Sequence, residues 1–169
     1  MSEQVTNYHE RKTAAYKGLV LAAGGTLPTR DPVSNPVEYR LQLLEAAAVG
    51  TVGGATFTIG AENTNVKNVA IQLTDGLGNN LAHAACVQVY LAADSAGQVI
   101  GSGVGTPANL AIGTNGLYRQ LTANISGFCT SEANGLIDLN ITNTGTGSQY
   151  LVVVLPNGKL VVSGAITFA

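Results

Sequence analysis

From residue 51 onward, apolar and polar side chains alternate in short runs, the two-residue period of half-buried strands. Val66–Thr74 puts Val69, Ile71 and Leu73 on one side, with polar partners on the other. Ala84–Leu91 sets Ala85, Val87, Val89 and Leu91 against Cys86, Gln88 and Tyr90. Leu136–Thr142 sets Ile137, Leu139 and Ile141 against Asp138 and Asn140. Ala55–Ile59 predicts a first strand and Leu117–Ile125 a later one. Gln98–Ile100 predicts a short strand within the Gly- and Ser-rich connection from Asp94 to Pro107. Between these runs stand turn-forming groups: Asp75-Gly76, Gly78-Asn79-Asn80, Asn115-Gly116, Ser131–Gly135 and Gly145–Ser148.

The run YLVVVLPNGKLVVSGAITFA, Tyr150 to Ala169, gives the sharpest local signal. Two β-branched stretches flank Pro156-Asn157-Gly158, which predicts a hairpin. Proline presets φ, asparagine tolerates the left-handed region, and glycine enters it without steric cost. The apolar residues beyond that turn predict that the final positions are held in a sheet. Seven or eight short strands at regular spacing predict an all-β fold, an antiparallel immunoglobulin-like sandwich. A jelly roll is the competing architecture, and the tryptophan of antibody-type domains is missing.

Composition divides the chain near Gly50. Residues 1–50 carry five basic and five acidic side chains, 10 of the 18 in the chain, on under a third of its 169 residues. Pro28, Pro32 and Pro36 keep Thr26–Pro36 extended. A short helix follows: Asn35 caps it, Pro36 suits its first position, Glu38 completes the cap, and Gly50 stops it. Val37, Leu41, Leu44 and Ala48 share one face. Such a helix is marginal alone and needs a surface to lie on. Tyr8, His9, Glu10, Arg11, Lys12, Tyr16 and Lys17 read either as a frayed terminus or as an arm that orders on a partner. Leu19, Val20 and Leu21 make the next stretch too apolar for water. The expected organisation is therefore an anchoring arm and helix over residues 1–50, then a β-sandwich over 51–169.

Charge and chemistry narrow the function. A net charge of −2 with 11% charged residues lacks the basic stripe a nucleic-acid binder needs. The first apolar run is too short for a secretory signal, and no segment approaches membrane-spanning length. Cys86 and Cys129 either pair across a sandwich or remain free; without a sign of export, free buried thiols are expected. His83 and Cys86 are three apart, which on a strand points them to opposite faces, so no zinc site is expected. Gly76-Leu77-Gly78 lacks the βαβ setting of a dinucleotide fingerprint and reads as a turn. Asp75, Asn79 and Asn80 resemble calcium ligands, but turn chemistry accounts for all three. Glu132 and Asp138 resemble a glycosidase pair, but with few aromatics to line a sugar site they read as solvated. The expectation is no metal, no cofactor and no enzymatic activity.

The segment NVAIQLTDGLGNNLAHAACVQVYLAAD, with GTNGLYRQL and the terminal hairpin, resembles a recurrent module of tailed-bacteriophage virion proteins, an immunoglobulin-like sandwich on capsid-associated chains. It covers about residues 66–169. The resemblance implies a capsid decoration, cement or head-fibre protein that binds the capsid exterior. Its implied partners are the major capsid protein and neighbouring copies of itself, in a homo-oligomer or large symmetric assembly, with neither nucleic acid nor membrane. It implies location on the virion surface after synthesis in the host cytoplasm. The capsid-contacting residues expected on this reading are Tyr8, Arg11, Tyr16, Leu19, Val20, Leu21, Val37, Leu41 and Leu44. Two rivals stand beside it: a neck or tail structural protein, and a host-glycan-binding module using Tyr90, Tyr118 and Tyr150.

Overall fold

A computed structural model describes residues 40–41, 44–45, 47–48, 50–104, 107 and 109–169. The chain forms two compact units, residues 1–51 with 75–79, and residues 52–74 with 80–169. In the first, Arg40, Leu41, Leu44, Glu45, Ala47 and Ala48 have helical backbone. The extended arm, the Asn35 cap and Val37 lie outside the described residues.

The second unit holds ten strands, all paired antiparallel: β1 (Gly54–Asn63), β2 (Val66–Thr74), β3 (Cys86–Ala92), β4 (Asn109–Ile112), β5 (Leu117–Thr122), β6 (Ser126–Thr130), β7 (Leu136–Thr142), β8 (Gly147–Val154), β9 (Leu160–Val162) and β10 (Ile166–Phe168). One sheet runs β1-β2-β7-β4; the other runs β10-β8-β3-β6-β5, with β9 also on β8. The period-two pattern decides which face of each strand is inside. Val69 lies opposite Leu139 and Ile71 opposite Ile137 in the first sheet; Val89 lies opposite Val153 and Leu91 opposite Leu151 in the second. All eight are fully buried in one cluster with Leu73, Ile141, Cys129, Ile166 and Phe168. Each such side chain contributes about 1.5–3 kcal/mol on burial, as an upper bound.

Three turns share one geometry. In Asp75–Asn79, Glu132–Leu136 and Leu155–Lys159, the first residue's N–H donates to the fifth residue's carbonyl. In each, the fourth residue is a glycine whose N–H returns to the first residue's carbonyl. Those glycines sit at φ 87°, 77° and 81° for Gly78, Gly135 and Gly158. This is the three-residue loop with a left-handed fourth position, which suits the right-handed twist of strands.

The terminal hairpin forms as expected, and the chain then continues along the same edge. β9 pairs with Val152–Val154 and β10 with Gly147–Gln149 of β8. Between them the Ser163 hydroxyl accepts the Leu151 N–H at 2.9 Å and donates to the Gly164 carbonyl at 2.8 Å. The ladder is thereby patched across the kink. Ile166 and Phe168 are buried, and the Ala169 N–H reaches Glu62 Oε2 at 3.2 Å.

Four expectations change. There are ten strands rather than seven or eight. The strand expected over Leu117–Ile125 ends at Thr122: the Ile125 N–H bonds back to the Thr122 carbonyl at 3.1 Å, with Asn124 at φ 57°, and the chain turns into β6. Asparagine is one of the few residues other than glycine that accepts this conformation. Asn109–Ile112, unmarked in the pattern, becomes β4 beside β7. Gln98–Ile100 forms no strand; Ile100 makes only an isolated bridge to Ala92.

The turn glycines differ in surroundings, which sets a test. A Cβ at Gly135 comes within 2.9 Å of Leu81 Cβ and 3.1 Å of the Leu73 carbonyl oxygen, whereas a Cβ at Gly158 meets nothing within 4 Å. Gly158→Ala should cost only left-handed strain, about 1–2 kcal/mol. Gly135→Ala should cost about 1–3 kcal/mol more through overpacking, read as the difference in urea unfolding free energy.

Candidate functional site

Of the residues expected to contact a capsid, Tyr8, Arg11, Tyr16, Leu19, Val20, Leu21 and Val37 lie outside the described residues. Leu41 and Leu44 are described, and both are exposed, at 54% and 67%. Apolar side chains presented to water at this level are suited to a contact surface.

On the sandwich, exposed apolar residues gather on the β5–β6 hairpin: Leu117, Leu121 and Phe128. In the register Leu117 faces Thr130 and Arg119 faces Phe128, so Leu117 and Phe128 are diagonal neighbours on the outer face. The inner face is braced. A side chain at Gly127 would run into the Tyr118 ring, and the Tyr118 hydroxyl donates to the Ser126 carbonyl at 3.1 Å. Burial, and then the neighbouring Cys129, push the Tyr118 phenol up to about 12. The hairpin is thus fixed from within and apolar without. Its signal in the sequence is Leu117-x-Arg119-x-Leu121, one face of a strand that lacks a buried counterpart.

The other half of this outer face is covered. Tyr90, Ala92 and Val152 form a second buried cluster with Tyr150, Val154 and Val162 around it. The Asp94–Ile100 loop closes over it. The Tyr90 hydroxyl donates to the Gly97 carbonyl at 2.6 Å, and a Cβ at Gly97 would stand 3.0 Å from Val152 and Val162 methyls. Asp94 holds the loop: its carboxylate accepts the N–H of Val99 at 2.7 Å and of Ala96 at 3.2 Å. The Val99 hydrogen bond leads in lowering the Asp94 pKa; desolvation opposes it, and bonds from Gln98 and Ala96 assist. Burial, with the Asp94 charge behind it, raises the Tyr90 pKa. As glycan-stacking residues, therefore, Tyr90 is covered and Tyr118 is committed to its own hairpin.

The remaining candidates resolve into loop supports. Asp75 accepts the N–H of Leu77 at 2.8 Å and of Asn79 at 2.9 Å, and the Asn79 side chain at 3.3 Å. Desolvation raises its pKa, but the bonds from Asn79, Leu77 and Gly78 together lower it. Glu132, exposed as expected, and the half-buried Asp138 also grip one loop: Glu132 Oε1 accepts the Gly116 N–H at 3.0 Å, and Asp138 Oδ2 accepts from Asn115 Nδ2 at 2.6 Å. Both cysteines are free. Cys86 faces Thr130 and Val87 faces Cys129, so the thiols project from opposite faces of the sheet. Cys129 is buried, which with Cys86 nearby pushes its thiol up to about 12. Cys86 is exposed, not buried as expected, because the covering loop stops short of its end of β3. His83 precedes β3 rather than lying on it. Among the described residues no group of three or more His, Cys, Asp or Glu side chains is placed to hold a metal, and no helix is long and apolar enough to cross a membrane.

No protein-family model, curated protein or solved structure matches this chain.

The Asp94 loop gives a pH dependence with a defined sign. Its folded pKa lies below the ordinary value of 3.8, so its stabilisation is full above that value and disappears as pH falls through the lowered one. Asp94→Asn should lower the melting temperature by a few degrees at neutral pH. Thermal scans of the two proteins should converge as pH falls below the ordinary value of 3.8 and through the lowered one.

Proposed function

We propose that this chain is a structural protein of a tailed-bacteriophage virion, which binds the capsid exterior through its first 50 residues and displays an immunoglobulin-like sandwich. The observation that carries the reading is the contrast between the two parts. The described body closes its core on itself, while Leu41 and Leu44 stand exposed in the segment before it.

Strand order supports the immunoglobulin-like assignment. β1-β2-β7-β4 follows the A-B-E-D order of such domains, and β9/β10, β8 and β3 follow G-F-C. The chain passes between sheets at β2–β3, β3–β4 and β7–β8, as that order requires, and at β4–β5 and β6–β7 on either side of an added hairpin. The β5–β6 hairpin is an addition, inserted between β4 and β7 and laid along the free side of β3.

The mechanism is mechanical. Apolar side chains of the anchoring segment are buried against capsomers at about 25 cal/mol per Å². Repetition over a symmetric shell converts a modest contact into a lasting one. The carboxylates of the body support this division of labour. Glu62, Asp75, Asp94, Glu132 and Asp138, all the acidic residues of 51–169, each accept a hydrogen bond from a loop or terminal donor.

Purified particles mixed with the labelled protein provide the test. Two buried leucines contribute about 1.5–3 kcal/mol each, so Leu41→Ser with Leu44→Ser should weaken particle binding roughly a hundredfold or more. A chain that binds particles equally well with both substitutions, or is absent from them, overturns the proposal. Copy number by cryo-electron microscopy separates the shell, with hundreds of sites, from the neck or tail, with on the order of a dozen.

A further inference from the structure

We infer that the Asn115–Gly116 step is a self-modifying site, at which the backbone closes on the asparagine side chain to give a succinimide and then aspartate or isoaspartate, with Glu132 as the base. The inference stands apart from the virion reading. It rests on what touches the two reacting nitrogens.

The chain holds three Asn-Gly steps in described turns, and their surroundings differ. At Asn134–Gly135 the glycine N–H is bonded to the Glu132 backbone carbonyl at 2.9 Å, and at Asn157–Gly158 to the Leu155 carbonyl at 2.8 Å. A peptide carbonyl is a poor proton acceptor. At Gly116 the N–H is bonded instead to the Glu132 carboxylate at 3.0 Å, a group that takes up a proton readily. The side chains differ in the same way. Asn134 and Asn157 use Oδ1 to accept the N–H two residues on, at 3.1 and 2.9 Å. Asn115 presents Nδ2, the leaving nitrogen, to Asp138 Oδ2 at 2.6 Å. One carboxylate therefore contacts the nucleophile and another contacts the leaving group at this step alone of the three.

The chemistry balances without a cofactor. The Gly116 nitrogen gives its proton to Glu132 and attacks Asn115 Cγ. The new C–N bond forms as the Cγ–Nδ2 bond breaks. The departing nitrogen takes back one proton and leaves as ammonia, and Asp138 stabilises the positive charge that develops there on protonation. Water then opens either carbonyl of the ring. One water is consumed, one ammonia is released, and no electrons are exchanged.

The fold also retains the labile dipeptide. Gly116 sits at φ 88°, and a Cβ there would stand 2.6 Å from the Thr130 carbonyl oxygen, so only glycine fits. Glycine leaves the attacking nitrogen the least hindered.

The test incubates the full-length folded protein at neutral pH and follows each Asn-Gly step by peptide mapping, with hydroxylamine cleavage to trap the succinimide. The expected result is conversion first at Asn115, although Asn134 and Asn157 are more exposed. Glu132→Gln keeps an oxygen to accept the Gly116 N–H but removes the base. It should slow conversion at Asn115 roughly tenfold or more and leave the other two steps unchanged. In urea the three steps of the native sequence should react alike. Conversion at Asn134 or Asn157 as fast as at Asn115 in the folded protein, or an unchanged rate in the Glu132→Gln variant, overturns the inference.

Discussion

Register is the constraint on which this sandwich depends. A strand shifted by one residue exchanges its inner and outer faces completely. For β2 and β7 that exchange would bury Ala70, Gln72, Asp138 and Asn140 and expose Val69, Ile71, Ile137 and Leu139. The turns that bound β2, β7 and β8 each need one left-handed residue, and glycine supplies it at Gly78, Gly135 and Gly158. Gly135 shows how closely turn and core are joined. It is walled in by Leu81, Gln72 and the Leu73 carbonyl, so the residue that shapes the turn is also a packing element. Gly127 plays a related part in β6, where its missing side chain is the space that the Tyr118 ring occupies.

A second constraint comes from the outer face of the six-stranded sheet. Tyr90, Val152 and Val162 are too apolar to leave in water, and a buried tyrosine must also satisfy its hydroxyl. The Asp94–Ile100 loop answers both needs with one carbonyl, that of Gly97, and is itself held by the Asp94 carboxylate together with backbone bonds such as Ala93 N–H to the Val99 carbonyl. The cover ends there. Beyond it lie Phe128, Leu117 and Cys86, exposed on strands that are no less well paired. The uneven cover, rather than the sheet itself, distinguishes an outer core from an outer surface.

These two constraints explain what was legible beforehand. β2, β3 and β7 announce themselves because an inner face against a partner sheet enforces strict alternation, and the turns announce themselves through glycine. β5 reads three residues too long because nothing from Leu117 to Ile125 is a strong breaker; a lone Asn124 turns the chain into β6. β4 is four residues long and takes its identity from β7, which is distant in sequence. The roles of Glu132 and Asp138 were hidden for the same reason. Their partners lie 16 and 23 residues away, and only the folded chain brings them to one loop. Of the proposed contact residues, the helical pair Leu41 and Leu44 was legible as one apolar face, and the structure presents both to water.

The carboxylates show where this protein spends its polarity. An acidic side chain in a β-sandwich can pair with a cation, ligate a metal, move a proton or hold backbone. In residues 51–169 Glu62, Asp75, Asp94 and Glu132 take the last course, Asp138 holds the Asn115 side chain instead, and Asp75 and Asp94 each hold more than one N–H. Loops fixed in this way need few apolar contacts of their own, so they stay short and exposed while the strands beneath remain rigid. Above this frame the β5–β6 hairpin leaves Leu117, Leu121 and Phe128 exposed. Glu132 is the exception that tests the rule, because the donor it holds is the backbone nitrogen of an Asn-Gly step, where holding and reacting differ by one proton.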